Sequence, residues 1–111
     1  MPDRHAVLSE KLDGVMLITL NRPQRFNAIS TALVNGIVEA MTAAENDDDV
    51  KVVVLTGAGK AFCAGVDLKE LSNGEDVISN DAALLDAFSH FTKPLIGAIN
   101  GIAVTGGLEM A

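Results

Sequence analysis

Residues 51–68 read KVVVLTGAGKAFCAGVDL. The run from Lys51 to Thr56 is short, rich in valine and bounded by Gly57, the pattern of a strand buried inside a sheet. A loop of small residues follows from Gly57 to Gly65, and a short helical start is expected near Asp67. A buried strand, a small-residue turn and a helix start form the joint of an α/β protein, in which helices cover a largely parallel sheet.

Working outward toward the N-terminus, His5 to Leu12 and Val15 to Leu20 read as two strands joined by Asp13-Gly14, a dipeptide suited to the positive φ of a tight hairpin turn. Both faces of the second run are mostly apolar, so it is expected to be covered on both sides. Asn21-Arg22-Pro23-Gln24-Arg25 is a loop, because proline cannot donate to a ladder. A helix is predicted from an N-cap at Ser30 to about Asn46. Leu33, Ile37, Met41 and Ala44 share one face of it, with Val34 and Val38 beside them. Gly36 inside that helix costs roughly 1 kcal/mol of propensity, which points to close packing against another backbone.

Toward the C-terminus, Leu84, Ala87, Phe88 and Phe91 mark a second helix that Lys93-Pro94 ends, and His90 is expected on that helix just before its end, where a cation suits the dipole. Leu95 to Ile99 is a second buried-strand candidate, and Thr105-Gly106-Gly107 leads into a helix at Leu108. The resulting order, β-β-α-β-α-β-α, is that of an α/β or mixed sheet in one small domain. The chain stops at Ala111 about one turn into its last predicted helix, which reads as the front portion of something longer.

Composition narrows the function. The chain has 111 residues, 49% of them hydrophobic, with 8 Lys+Arg against 15 Asp+Glu and a net charge of −7. With a pI near 4.5 there is no basic stripe to displace counterions from nucleic acid. No apolar run approaches the length of a bilayer span and no signal sequence opens the chain, so a cytoplasmic protein without a membrane partner is expected. Cys63 is the only cysteine, which excludes an internal disulfide. As a nucleophile it has neither His5 nor His90 beside it in sequence, so a small buried residue is the expectation. Two histidines without an acidic partner give no metal-ligand set. The Gly57-Ala58-Gly59-Lys60 stretch fails as a phosphate loop, because Val54 stands at the first glycine position and Ala61 at the magnesium hydroxyl; Phe62 likewise replaces the third glycine of the dinucleotide pattern.

Two loops remain, residues 61–68 and 100–109, each following a buried-strand pattern and each built of small residues that let a ligand reach backbone N–H groups. Two such donors converging from separate loops would hold a developing oxyanion, with Glu109 one helical turn beyond Gly106 as a proton donor or acceptor. The same glycines also serve as plain strand-to-helix turns and Glu109 as a favourable charge on a helix dipole. Spacing alone leaves both readings open.

The stretches NRPQRFNAIS (21–30), VVVLTGAGKAFCAGVDLKEL (52–71) and KPLIGAINGIAVTGGLEMA (93–111) resemble the crotonase superfamily, specifically its enoyl-CoA hydratase-like members. The similarity runs over nearly the whole chain and is weakest around Ser72 to His90. It implies an α/β fold, a spiral of ββα units incomplete at the C-terminus, with residues 1–111 the N-terminal part of a single acyl-CoA-binding domain. It implies hydration of a trans-2-enoyl-CoA through a thioester enolate held by the backbone N–H groups of Ala64 and Gly106, with Glu109 activating water. Ala64, Gly65, Val66 and Asp67 would line the CoA thioester, with Arg25, Ala28 and Gly106 also in the substrate site. No metal or redox cofactor is implied, and the assembly would be a homotrimer or hexamer. Thr105 replaces the first of three glycines found in many members. A second catalytic glutamate lies further along the family sequence than Ala111. The alternatives are a catalytically inactive protein that binds CoA esters or homologous subunits, and a relative running isomerase-type enolate chemistry. Arg22, Arg25, Lys60 and Lys69 flank the loops and are expected to include contacts to the CoA phosphates.

Overall fold

The computed structural model describes residues 6–63 and 77–103. Strands β1 (Val7–Leu12) and β2 (Val15–Leu20) form the expected hairpin, antiparallel from Val7 opposite Leu20 to Leu12 opposite Val15. Asp13 and Gly14 take φ of 47° and 85°, the two positive values that a turn matching the twist of its strands requires. A single 3₁₀ turn (Pro23–Arg25) precedes helix α1 (Thr31–Glu45), which Ser30 caps by accepting from the Leu33 N–H at 3.2 Å. Strand β3 (Val52–Gly57) pairs parallel with β2 and with β5 (Leu95–Ala98), giving the sheet order β1-β2-β3-β5. Helix α2 (Val77–Ser89) packs on α1.

The core lies between this sheet and the helices. Ile18, Leu20, Val53 and Leu55 from the strands meet Leu33, Val34, Ile37, Met41 and Ala44 from α1, all buried. Leu84 of α2 is buried with them, while Phe88 and Phe91 are packed at the margin. Burying a side chain the size of Ile37 or Leu33 contributes about 1.5–3 kcal/mol each, which is what makes the predicted apolar stripe of α1 the organising element.

Four expectations are corrected. The second face of β2 is only half-buried at Val15, Leu17 and Thr19, because α1 covers one side of the sheet. Gly36 makes its close approach to a side chain rather than to backbone: a Cβ there would lie 2.7 Å from Cγ2 of Val7. β5 is an edge strand with Ile96, Gly97 and Ala98 exposed, so its apolar run does not report burial among the described residues. The stretch after Gly57 is not all loop. Ala61–Cys63 is a fully buried strand, β4, paired parallel with a short strand, β6 (Ile102–Ala103), that the sequence pattern did not reveal. His90 falls just after α2, its ring Nδ1 3.1 Å from the Asp86 carboxylate. The helices expected at Asp67 and Leu108 lie outside the described residues. No described helix is long and apolar enough to cross a membrane.

Candidate active site

The three quoted stretches, far apart in sequence, meet at one backbone carbonyl. Asn27 is fully buried and sits at φ 56°, in the left-handed region that asparagine tolerates better than most side chains. Its Oδ1 accepts from the Arg22 N–H at 2.7 Å. Its Nδ2 donates to the carbonyls of Ala58 at 3.0 Å and Ala61 at 2.9 Å. From the other side Asn100 donates its own Nδ2 to Gly59 O at 3.0 Å and to the same Ala61 O at 3.1 Å, while its Oδ1 accepts from the Gly57 N–H at 3.1 Å. The turn from Gly57 to Ala61 is therefore clamped between two amides. Each amide donates two bonds and accepts one, which a hydroxyl with its single O–H cannot do.

Glycine is required where the clamp closes. A Cβ at Gly57 would stand 2.7 Å from the carbonyl oxygens of both Ala61 and Phe62 and 2.8 Å from Asn27 Nδ2. A Cβ at Gly101 would overlap the Lys60 carbonyl oxygen. The backbone of the third stretch thus lies directly against that of the second, and β4 and β6 continue from this point in parallel, with Ala61 opposite Ile102 and Cys63 opposite Ala103.

Of the residues predicted for the site, Arg25 and Ala28 are described. Arg25 is half-buried beside the clamp and Ala28 is buried, its carbonyl accepting from Arg22 Nη1 at 2.8 Å. Ala64, Gly65, Val66, Asp67, Gly106 and Glu109 lie outside the described residues, as does Lys69. β4 ends one residue before Ala64, and the described part of β6 ends three residues before Gly106. Of the four cations expected to include phosphate contacts, Arg22 is 4% exposed and holds the Ala28 carbonyl, whereas Lys60 is exposed on the clamped turn. Cys63 is fully buried, as expected for a small core residue. Among the described residues no cluster of His, Cys, Asp and Glu could hold a metal ion.

The two asparagines escaped the sequence reading. Their only sequence signals are an asparagine in a proline-containing loop and an Asn-Gly pair after a strand; both are ordinary turn chemistry. The displaced carboxyl pKa values belong elsewhere, to the C-terminal end of α1. There Thr92 donates from its Oγ and its N–H to Glu45 at 2.6 and 2.8 Å, holding that carboxyl below its usual value. The Lys11 ammonium, 2.9 Å away, lowers Asp47 in the same way.

A mixed sheet under one helical layer, with two small-residue segments laid side by side and running in the same direction, defines an α/β class of protein. Comparison with known proteins makes the class specific. The sequence profile described as enoyl-CoA hydratase/isomerase matches residues 10–111, so the chain belongs to that family and to the crotonase superfamily. The mitochondrial enoyl-CoA hydratase of Pongo abelii is 40% identical over 104 residues, covering 91% of this chain and 36% of that protein. The crystal structure of an enoyl-CoA hydratase from Mycobacterium tuberculosis H37Rv superposes with a TM-score of 0.80 at 48% identity, covering 94% of this chain and 43% of the other. A Pseudomonas aeruginosa structure gives a TM-score of 0.91 at 33% identity, covering all of this chain and 51% of the other. The chain thus spans well under two thirds of the length of the relatives it matches. The Pongo abelii relative is named as mitochondrial and an Arabidopsis thaliana one as peroxisomal, so family membership does not fix a compartment.

Proposed function

We propose that the protein is an enoyl-CoA hydratase, adding water reversibly to a trans-2-enoyl-CoA to give a 3-hydroxyacyl-CoA. The observation that carries this reading is the parallel pairing of β4 with β6 across the asparagine clamp, which brings together the chain segments that run on to Ala64 and to Gly106. Their backbone N–H groups hold the thioester oxygen as negative charge develops on it. Glu109 takes a proton from water as the water oxygen bonds to C3, and the proton is returned to C2 of the resulting enolate, so that one water is added overall and the carboxylate is restored. Gly65, Val66 and Asp67 line the thioester with Ala64, and Arg25 and Ala28 complete the CoA side, with Lys60 a candidate phosphate contact. The reaction so written uses no metal or redox cofactor. Residues 1–111 form part of a single crotonase-like domain, and the active assembly is a homotrimer or hexamer.

Hydration of crotonyl-CoA, followed by loss of the conjugated-thioester absorbance on a sample of confirmed mass, tests the reading. Turnover supports it, and no turnover in the protein at its natural full length overturns it. The second reading is a catalytically inactive protein that binds CoA esters or homologous subunits. Binding without turnover at a mass near 11.6 kDa selects that reading. Isomerisation of a 3-enoyl-CoA on the same sample would assign the enolate chemistry to the isomerase branch of the family.

A further inference from the structure

We propose that Asn100, acting with Asn27, is a positioning residue for the thioester-carbonyl site, setting the direction in which β4 delivers the chain to Ala64. The inference rests on the functional reading above and goes beyond it, because neither asparagine touches a substrate in that scheme.

Three features of the clamp support it. First, Ala61 O accepts from both amides, Asn27 Nδ2 at 2.9 Å and Asn100 Nδ2 at 3.1 Å, so the residue that opens β4 is fixed from two sides. Second, Asn100 ties the link that follows β5 to the turn before β4: its Oδ1 accepts from the Gly57 N–H, and its Nδ2 donates to Gly59 O. Third, Gly101 lets the following backbone lie against Lys60 and Ala61 with no side chain between, and Thr56 Oγ1 donates to Ala98 O at 2.8 Å just upstream. The side chain of Asn100 therefore couples the two segments that each supply one donor. If the spacing between them changes, two N–H groups that must converge on one oxygen no longer do.

The chemistry separates this role from simple support of the fold. Asn100 lies on the exposed side of the turn, whereas Asn27 is fully buried. Removing Asn100 leaves groups that water can satisfy, so stability is expected to change little while the aim of the donors changes. Displacing a reacting group by about 1 Å costs on the order of 100-fold in rate.

The test uses Asn100→Asp and Asn100→Ala in the protein at its natural full length. N100D keeps the acceptor for Gly57 and replaces the donor with a charge that repels Gly59 O and Ala61 O; N100A removes the Asn100 half of the clamp and admits water. Three quantities are read: the thermal midpoint, kcat and KM for crotonyl-CoA, and the infrared stretch of the thioester carbonyl in a bound, non-turning-over enoyl-CoA analogue. The expected result is a kcat roughly 10- to 100-fold lower, KM within about threefold of the parent, and a smaller downshift of the bound carbonyl in both variants. Unchanged kcat, or a carbonyl shift equal to the parent's in folded N100A, overturns the proposal. A parent protein that binds no enoyl-CoA analogue and shifts no carbonyl overturns the functional reading as well, and so is distinguishable from failure of the positioning role alone.

Discussion

Replacing Asn27 by alanine removes three hydrogen bonds made by a fully buried side chain, two of them buried and the one to Ala58 O partly buried. The Arg22 N–H loses the acceptor at 2.7 Å, Ala58 O loses its donor at 3.0 Å, and Ala61 O keeps only the bond from Asn100. Net hydrogen bonds contribute about 1 kcal/mol each, and a buried group left without its partner costs about 1–3 kcal/mol. Alanine at a φ of 56° adds roughly 1 kcal/mol, because its Cβ crowds the following carbonyl without the local hydrogen bonding that asparagine offers. The expected loss is about 3–5 kcal/mol. In a chain of this size each kcal/mol moves the thermal midpoint by about 4 °C, so N27A should melt at least ~10 °C below the parent. Urea unfolding followed by circular dichroism gives the free energy directly. Asn27→Gly separates the two contributions, since glycine lacks the amide but accepts positive φ; it should recover about 1 kcal/mol relative to N27A. A loss below about 1 kcal/mol in N27A, or equal losses in the two variants, would refute the clamp or the backbone part of the reasoning respectively.

Gly57→Ala should cost about 1–3 kcal/mol, read as a lower urea midpoint, because the new Cβ meets two carbonyl oxygens at 2.7 Å that are themselves held in place. Glu45 is held below its usual value of 4.5, chiefly by the Thr92 hydroxyl and then by the Thr92 N–H. A depressed carboxyl pKa stabilises the fold above the ordinary value and loses that effect as pH falls through the depressed one. Glu45→Gln should therefore lower the thermal midpoint at pH 7, and its difference from the parent should shrink as pH falls below 4.5; a pH-independent difference would contradict the assignment. Glu109→Gln should reduce kcat for crotonyl-CoA by roughly 10²–10⁴ with KM little changed, and equal rates would remove Glu109 from the chemistry.

Local signals carried most of the framework. Asp13-Gly14 fixed the hairpin because positive φ at both positions is a property of the dipeptide itself. Ser30 and the Leu33, Ile37, Met41 and Ala44 stripe placed α1 to within a residue, because capping and helical periodicity are short-range. β5 is exposed among the described residues, since an apolar run reports what a strand can pack against and not whether a neighbour stands among them. β4 and β6 were missed because strands of three and two residues carry no period to detect; only their pairing with each other makes them strands. At the site, the small residues and Glu109 stood out in sequence, and resemblance supplied their roles.

The sequence by itself determined the α/β class, the hairpin, the principal helix with its buried face, and the family, because these rest on local backbone preference, periodicity and ordered motifs. Tertiary structure alone decided that Arg22 turns inward to hold Ala28 O while Arg25 is half-buried and Lys60 exposed. It also decided that Asn27 and Asn100, 73 positions apart in the numbering, share Ala61 O. The physical reason is that a hydrogen bond between distant segments depends on where the sheet brings their backbones, and the two asparagines have no periodicity or spacing that announces their common partner.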